Sequence, residues 1–163
     1  MYYSDVIAGL NRGGVRYLIV GGVALVLHGV VRLTVDLDLM LDLSRENLVK
    51  FVSVMEKIGY KPKAPVNAMD FTDPEKRSLW VRDKNMKVFS FFNTQNQIKI
   101  VDVFAENPID FDRVYRNRKT VTAAGIAMPL VSLNDLKKLK KASGRSQDLA
   151  DLESIKELEK LLR

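Results

Sequence analysis

The stretch "YLIVGGVALVLHGVVRLTVDLDLML", Tyr17 to Leu41, sets two aspartates, Asp36 and Asp38, in a run that otherwise reads as protein core. Ionised carboxylates are costly to bury unless a cation or strong donors meet them. The run divides at Gly21-Gly22. Before the glycines, Arg16–Val20 is β-branched and aromatic and predicts a strand. After them, Val23–His28 predicts a short apolar helix. Leu33–Leu41 alternates and predicts a second strand, with Leu37, Leu39 and Leu41 on the core face. Thr34, Asp36 and Asp38 then share the opposite face, with the two carboxylates about 6–7 Å apart along the strand.

A lone acid recurs downstream in "QIKIVDVFA", where Asp102 sits between apolar neighbours in a predicted strand, Gln97–Ala105. If that strand lies beside Leu33–Leu41, three carboxylates meet, an all-oxygen donor set that suits Mg²⁺. A helix entered through Gly21 and Gly22 offers free N–H groups and the positive end of its dipole to a phosphate, which glycine lets approach closely. Each feature alone has a plainer reading. "DLDL" also describes a half-exposed strand, Asp102 a structural salt bridge, and the glycine pair a tight turn. The order strand, Gly-Gly, helix, Asp-x-Asp strand, later Asp strand is what points to a phosphate cradle beside a metal site.

The rest of the chain bounds the answer. Its 163 residues, 47% hydrophobic and 28% charged, fit one globular domain, with a core region over about 1–130 and a helical portion over about 131–163. No cysteine is present, which excludes disulfides and thiolate metal sites. The N-terminus lacks the pattern of a signal peptide, and the longest apolar run is too short to span a bilayer, so a soluble, cytoplasmic protein without membrane partners is expected. Nine of the basic residues and a single acid, Asp135, fall between Arg113 and Arg145. That concentration suggests an anionic partner for the second half, although a solvated helix face reads the same way.

Helices are predicted over Tyr3–Leu10, over Arg45–Ile58 behind a Ser44 N-cap, and from Pro74. Met86–Phe92 predicts a strand, with Trp80 and "FSFF" in the core. "KTVTAAGIAMPLV" predicts a hairpin, and Ser132–Ala142 and Ser146–Leu162 a closing pair of helices. His28 reads as a capping or core-edge residue and Asp42 as a solvent-facing turn residue. The pattern is α+β, a small mixed sheet with helices packed against it and a C-terminal helical hairpin.

These motifs resemble the DNA polymerase beta-type nucleotidyltransferase superfamily. That family carries Gly-Gly or Gly-Ser, a short helix, Asp-hydrophobic-Asp/Glu-hydrophobic, and a third acid between hydrophobics. Here they are Gly21-Gly22, then thirteen residues, Asp36–Leu39, and Val101–Val103. The longer "GGVALVLHGVVRLTVDLDLML" and the late "KKASGRSQDLADL", Lys140 to Leu152, look like the branch of AbiEii-type toxin nucleotidyltransferases. Gln147 departs from the lysine usual there, and Gly22 stands where serine is the other choice.

The resemblance implies a metal-dependent transfer of a nucleoside monophosphate from NTP to a hydroxyl on a protein, an RNA end or a small molecule. Asp36 and Asp38 would bind two Mg²⁺ or Mn²⁺ ions, with Asp102 on the ion nearest the acceptor hydroxyl. Gly21, Gly22, Arg32, Thr34, Lys140 and Arg145 would contact the nucleotide. A role within a toxin–antitoxin pair follows from the same branch. The open alternative is a non-catalytic or weakly active nucleotide-binding or toxin–antitoxin interaction module. Phosphohydrolase and dinucleotide-binding readings fail on sequence, since Leu39-Met40 follows the acids and "GGVALVLHG" lacks the Gly-x-Gly-x-x-Gly spacing.

Overall fold

A computed structural model describes all residues from Met1 to Arg163. Helix α1 (Ser4–Arg12) leads to β1 (Tyr17–Val20), α2 (Gly21–His28), β2 (Leu37–Leu41) and α3 (Arg45–Lys57). Strand β3 (Tyr60–Pro62), a 3-10 turn over Ala68–Thr72, α4 (Pro74–Lys84), β4 (Val88–Asn93) and β5 (Ile100–Phe104) follow. The chain closes with α5 (Phe111–Arg116), β6 (Lys119–Ala123), β7 (Ile126–Leu130), α6 (Leu133–Ser143) and α7 (Ser146–Leu161). The seven strands form one mixed sheet in the order β3-β4-β5-β2-β1-β7-β6. No helix is long and apolar enough to cross a membrane.

Two registers position everything that follows. Strand β2 runs antiparallel to β1, with Val20 opposite Asp38, and parallel to β5, with Asp38 opposite Asp102. Leu37, Leu39, Ile19, Val101 and Val103 thus share one face, which joins a continuous core of 37 buried side chains. Phe89 and Phe91 extend it on β4, and Trp80 stacks on Phe89 at 5.1 Å between ring centroids. Packing of this kind supplies most of the folding free energy.

Local chemistry sets the element ends. Ser44 caps α3 by accepting from the Asn47 N–H. Asn47 itself is buried and bridges strands. Its amide oxygen accepts from the Arg16 N–H at 2.8 Å, while its amide nitrogen donates to the Arg16 and Asp42 carbonyls at 3.0 and 2.8 Å. Asp73 caps α4, and Pro74 occupies its first turn, where a missing N–H costs nothing.

Two expectations need correction. Strand β2 begins at Leu37 rather than Leu33, because β1 turns into α2 at Gly21 and leaves residues 33–36 without a pairing partner. Asp42 is not a free turn residue: it pairs with Arg16 at 2.5 Å and accepts from the Ser44 N–H. The sequence reading also left β3, the 3-10 turn and α5 unassigned. Two of these are short, and α5 carries an Asp110 N-cap that precedes a single apolar pair, Phe111 and Val114.

Candidate active site

The acids come first. Asp38 and Asp102 are cross-strand partners at the start of β2 and the middle of β5. Asp36 lies two residues earlier, in a bend just ahead of the first residue of β2. Its charge still acts on both other carboxyls. Burial, then the facing Asp102, pushes the Asp38 carboxyl up to about 7, against the pull of Lys140. Burial also raises Asp102, although the Ser90 hydroxyl donates to it at 2.5 Å. Ser90 was missed in the sequence. Its signal was a lone hydroxyl among "FSFF" at the position that pairs with Asp102.

The glycine pair meets the acids directly. Gly21 opens α2 in the left-handed region, at φ 63°, and a Cβ there would lie 2.1 Å from Asp38 Oδ2. No side chain caps α2, so its first-turn N–H groups are uncommitted. At Gly22 a Cβ would lie 2.6 Å from Thr34 Oγ1 and 2.9 Å from Arg32 Nη1. Thr34 and Arg32 therefore lean over the N-terminus of α2. Glycine at both positions is a steric requirement of this site as well as a conformational one.

The C-terminal hairpin closes the other side. Lys140 is buried, at 5% exposure, and pairs with Asp148 at 3.2 Å and Asp151 at 2.8 Å. Arg32 approaches Asp151 at 3.1 Å without hydrogen-bond alignment, so its Nη1 is buried close to a charge yet unsatisfied. Arg145 donates to Asp148 at 2.9 Å. Burial alone would raise Asp148, but hydrogen bonds led by that of Arg145 hold it well below the usual carboxylate range. Lys140 and Arg145 both act on the Asp38 charge, which ties the hairpin to the acids. Gln147, the departure from lysine, donates to Asp151 at 3.1 Å. His28 meets the Val131 carbonyl at 2.8 Å and plays a structural part at the end of α2.

Five of the nine basic residues between Arg113 and Arg145 are ion-paired. Arg113 and Lys138 pair with Asp135, Lys137 with Glu159, and Lys140 and Arg145 with the aspartates of α7. Asp148, Asp151 and Glu159 come from α7, just beyond the stretch counted in the sequence, while Asp135 lies within it.

The donor set fits an oxygen-preferring divalent cation, because two raised carboxyls directly opposite one another on neighbouring strands gain from a positive charge between them. No three acidic side chains already close on a common point as a ligand cluster.

No protein-family model matches the chain. No curated protein matches it either. Solved structures do. The lincosamide antibiotic adenylyltransferase LnuA, bound to lincomycin, superposes with a TM-score of 0.57 at 16% identity, covering 91% of this chain and 90% of its own. ANT(2")-Ia in complex with adenylyl-2"-tobramycin gives 0.58 at 12% identity, covering 98% and 92%. A Thermotoga maritima protein provisionally described as a nucleotidyltransferase gives 0.58 at 14%, covering 93% and 88%. The fold is that of the nucleotidyltransferases. On this nucleotidyltransferase fold the Gly-Gly turn, the paired acids and the cationic hairpin converge at one end of the sheet.

Proposed function

We propose that this protein transfers a nucleoside monophosphate from an NTP to an acceptor hydroxyl, with Asp36, Asp38 and Asp102 as the catalytic acids. The observation that carries the reading is the register of Asp38 opposite Asp102, with the Asp38 carboxylate held against a glycine that admits no side chain. A lone salt-bridging aspartate needs neither neighbour.

The chain's own groups divide the work. Uncommitted N–H groups at the start of α2 bind the phosphates, and Gly21 and Gly22 let them approach. Arg32 and Thr34 meet the triphosphate from above, and Lys140 and Arg145 balance its charge from the hairpin. Asp36, Asp38 and Asp102 would hold the divalent ions, Mg²⁺ or Mn²⁺. When bound, these ions acidify the acceptor hydroxyl and neutralise the triphosphate and departing pyrophosphate. Ser90 keeps the Asp102 carboxylate oriented. In-line attack then requires little beyond positioning and charge stabilisation.

The late "KKASGRSQDLADL" signature reads, in this frame, as the clamp between hairpin and cradle. Lys140, Arg145, Asp148 and Asp151 form one ion network that Arg32 joins. An AbiEii-type toxin role would require a protein or RNA acceptor, whereas the superposed LnuA and ANT(2")-Ia structures carry small antibiotics.

The test is direct. The protein is incubated with each α-labelled NTP, Mg²⁺ and a cell extract, and label is followed into protein, RNA and small-molecule fractions. Transfer that disappears in Asp38→Asn, with the fold intact by circular dichroism, is the expected result. Transfer that persists in Asp38→Asn removes the acids from the mechanism. No transfer and no Mg²⁺-NTP binding leave only an interaction module on the same fold.

A further inference from the structure

A row of side chains crosses the sheet at the level of the acids. Cross-strand partners share a face, so Asp38 on β2, Asp102 on β5 and Ser90 on β4 stand side by side. Strands β3 and β4 pair antiparallel with Lys61 opposite Phe92, and just past β3 the Lys63 N–H donates to the Ser90 carbonyl at 2.8 Å. Lys63 therefore continues the row, two strand spacings or about 10 Å from Asp102. Burial raises the Asp102 carboxyl, and Lys63, like the Ser90 hydroxyl, opposes that rise. A second row, Ile100, Phe92 and Lys61, runs beside the first on the same face.

The two ends of the row differ. At one end Gly21 sits against Asp38, at the phosphate cradle proposed above. At the β3 end the face is open. Ser90, Phe92, Ile100, Asp102 and Phe104 are half-buried, whereas Phe89, Phe91, Val101 and Val103 on the opposite face are sealed in the core. Lys61 and Lys63 are exposed, and neither pairs with a carboxylate. Lysine on an edge strand also discourages edge-to-edge pairing. That purpose does not require it to stand in line with Ser90 and Asp102.

We propose that this open face seats the acceptor, a small hydroxyl compound whose anionic group, a carboxylate or a phosphate monoester, is held by Lys61 and Lys63. The inference rests on the nucleotidyltransferase reading and specifies its acceptor. The hydroxyl lies over Asp102 on the side away from α2, the body of the compound rests on Phe92 and Ile100, and the anion meets the lysines. Apolar contact with a few charged groups is what orients small ligands. A polycationic aminosugar would meet like charge there. Strands β3, β4 and β5 present no further cation to this face, which suits one anionic group rather than a phosphodiester chain. Once seated, the acceptor's hydroxyl oxygen forms a bond to the α-phosphorus of the NTP. The bond from that phosphorus to the bridging oxygen breaks, pyrophosphate leaves with the electron pair, and the hydroxyl proton passes to solvent.

Three probes share one shape and differ in charge: 4-(hydroxymethyl)benzoate, the neutral 4-(hydroxymethyl)benzamide and the cationic 4-(hydroxymethyl)benzylamine. A fourth, 4-(hydroxymethyl)benzylphosphonate, separates a phosphate source from a carboxylate one, and a short oligoribonucleotide with a free 3′ hydroxyl represents a polyanion. Binding is followed by calorimetry and ester formation by mass spectrometry, in the presence of Mg²⁺ and the four ribonucleoside triphosphates. The benzoate or the phosphonate should bind at least about tenfold more tightly than the benzamide, with the benzylamine weakest, and should form a nucleotide ester. The tighter of the two anions names the source. In the doubly substituted Lys61→Glu, Lys63→Glu protein, folded by circular dichroism, that preference should disappear while NTP affinity holds. NTP binding with no preference among the three charges, or a preference that survives the double substitution, overturns the lysine assignment and leaves the nucleotidyltransferase reading standing. An anion bound beside NTP without ester formation overturns the acceptor role. Faster transfer to the oligoribonucleotide than to either small anion overturns the small-molecule class. Absence of NTP binding overturns the proposal together with the nucleotidyltransferase reading.

Discussion

At the scale of single residues, the most telling contact is the one between Gly22 and Thr34. A serine at position 22 is common in the resembled family, yet here its Cβ would meet Thr34 Oγ1 at 2.6 Å. The threonine thus fills the space, and offers the hydroxyl, that a serine would bring. Gly22→Ser should lose about 1–3 kcal/mol of stability through overpacking and transfer more slowly. Gly22→Ser combined with Thr34→Ala should recover only part of both, because the Cβ of position 34 and Arg32 Nη1 still lie 2.9 Å from the new Cβ. Urea titration and initial rates for the two single variants and the double variant decide it, and simple additivity would show that the two positions are independent. Tyr3 acts differently, through backbone. Its hydroxyl ties the Val35 carbonyl to the Ile100 N–H, and burial pushes its pKa up to about 12. Tyr3→Phe should cost about 1–2 kcal/mol by leaving buried backbone groups unpaired. It should also lower kcat while KM for NTP holds, since the triphosphate contacts proposed above lie at α2. An equal loss in both constants would make Tyr3 a purely structural residue.

At the scale of elements, the α6–α7 hairpin is clamped by one buried cation facing two buried aspartates. Exposures of 5%, 1% and 3% for Lys140, Asp148 and Asp151 put this network beyond the reach of solvent screening. Lys140→Met removes the one buried cation that the two carboxylates share, leaving Asp148 to the exposed Arg145 and Asp151 to Arg32, and should cost about 3 kcal/mol, read as a lower urea midpoint. A change within experimental error would mean that Arg32 and Arg145 suffice to hold the hairpin. The hairpin also shows what sequence could and could not convey. Its two helices are legible from spacing and from the "ASG" break, because helical periodicity is a local signal. The pairing of Asp148 with Lys140 or Arg145 is legible as well, from the spacing that puts Asp148 and Asp151 on one helical face, whereas the approach of Arg32 to Asp151 depends on how the hairpin docks. The same contrast separates the acids. "DLDL" and "VDV" are readable as strands in one stretch of chain, whereas the register that sets Asp38 opposite Asp102 and Ser90 beside them is a property of the sheet. The alternation over Leu33–Leu41 misled for a related reason. Residues 33–36 have strand chemistry but no neighbouring strand, so the ladder starts at Leu37 and an apolar pocket opens where it stops.

At the scale of the whole molecule, the site makes folding stability depend on pH in a direction opposite to an ordinary salt bridge. Asp38 ionises near 3.8 when exposed and near 7 in the folded protein. Between those values the folded state holds a proton that the unfolded state has released, so stability falls as pH rises through that window and levels off above it. Asp148 has the opposite sign. Its depressed pKa adds stability at neutral pH that is lost in acid, below the ordinary carboxylate range, so the two effects separate along the pH axis. Asp38→Asn should therefore match the parent near pH 4 and exceed it at pH 8, by on the order of 2 kcal/mol once partial solvent access is allowed for. Urea unfolding at pH 4, 6 and 8 without divalent ions measures this, and parallel profiles for the two proteins would mean that Asp38 carries no raised pKa. Adding Mg²⁺ sharpens the test, because a cation that competes with the proton stabilises only where both can bind. The parent should gain more from Mg²⁺ at pH 8 than at pH 5, and Asp38→Asn should gain much less at either. An equal gain in both proteins would place the ion elsewhere, whereas the expected difference makes the strain of burying Asp38 the source of its affinity for the metal.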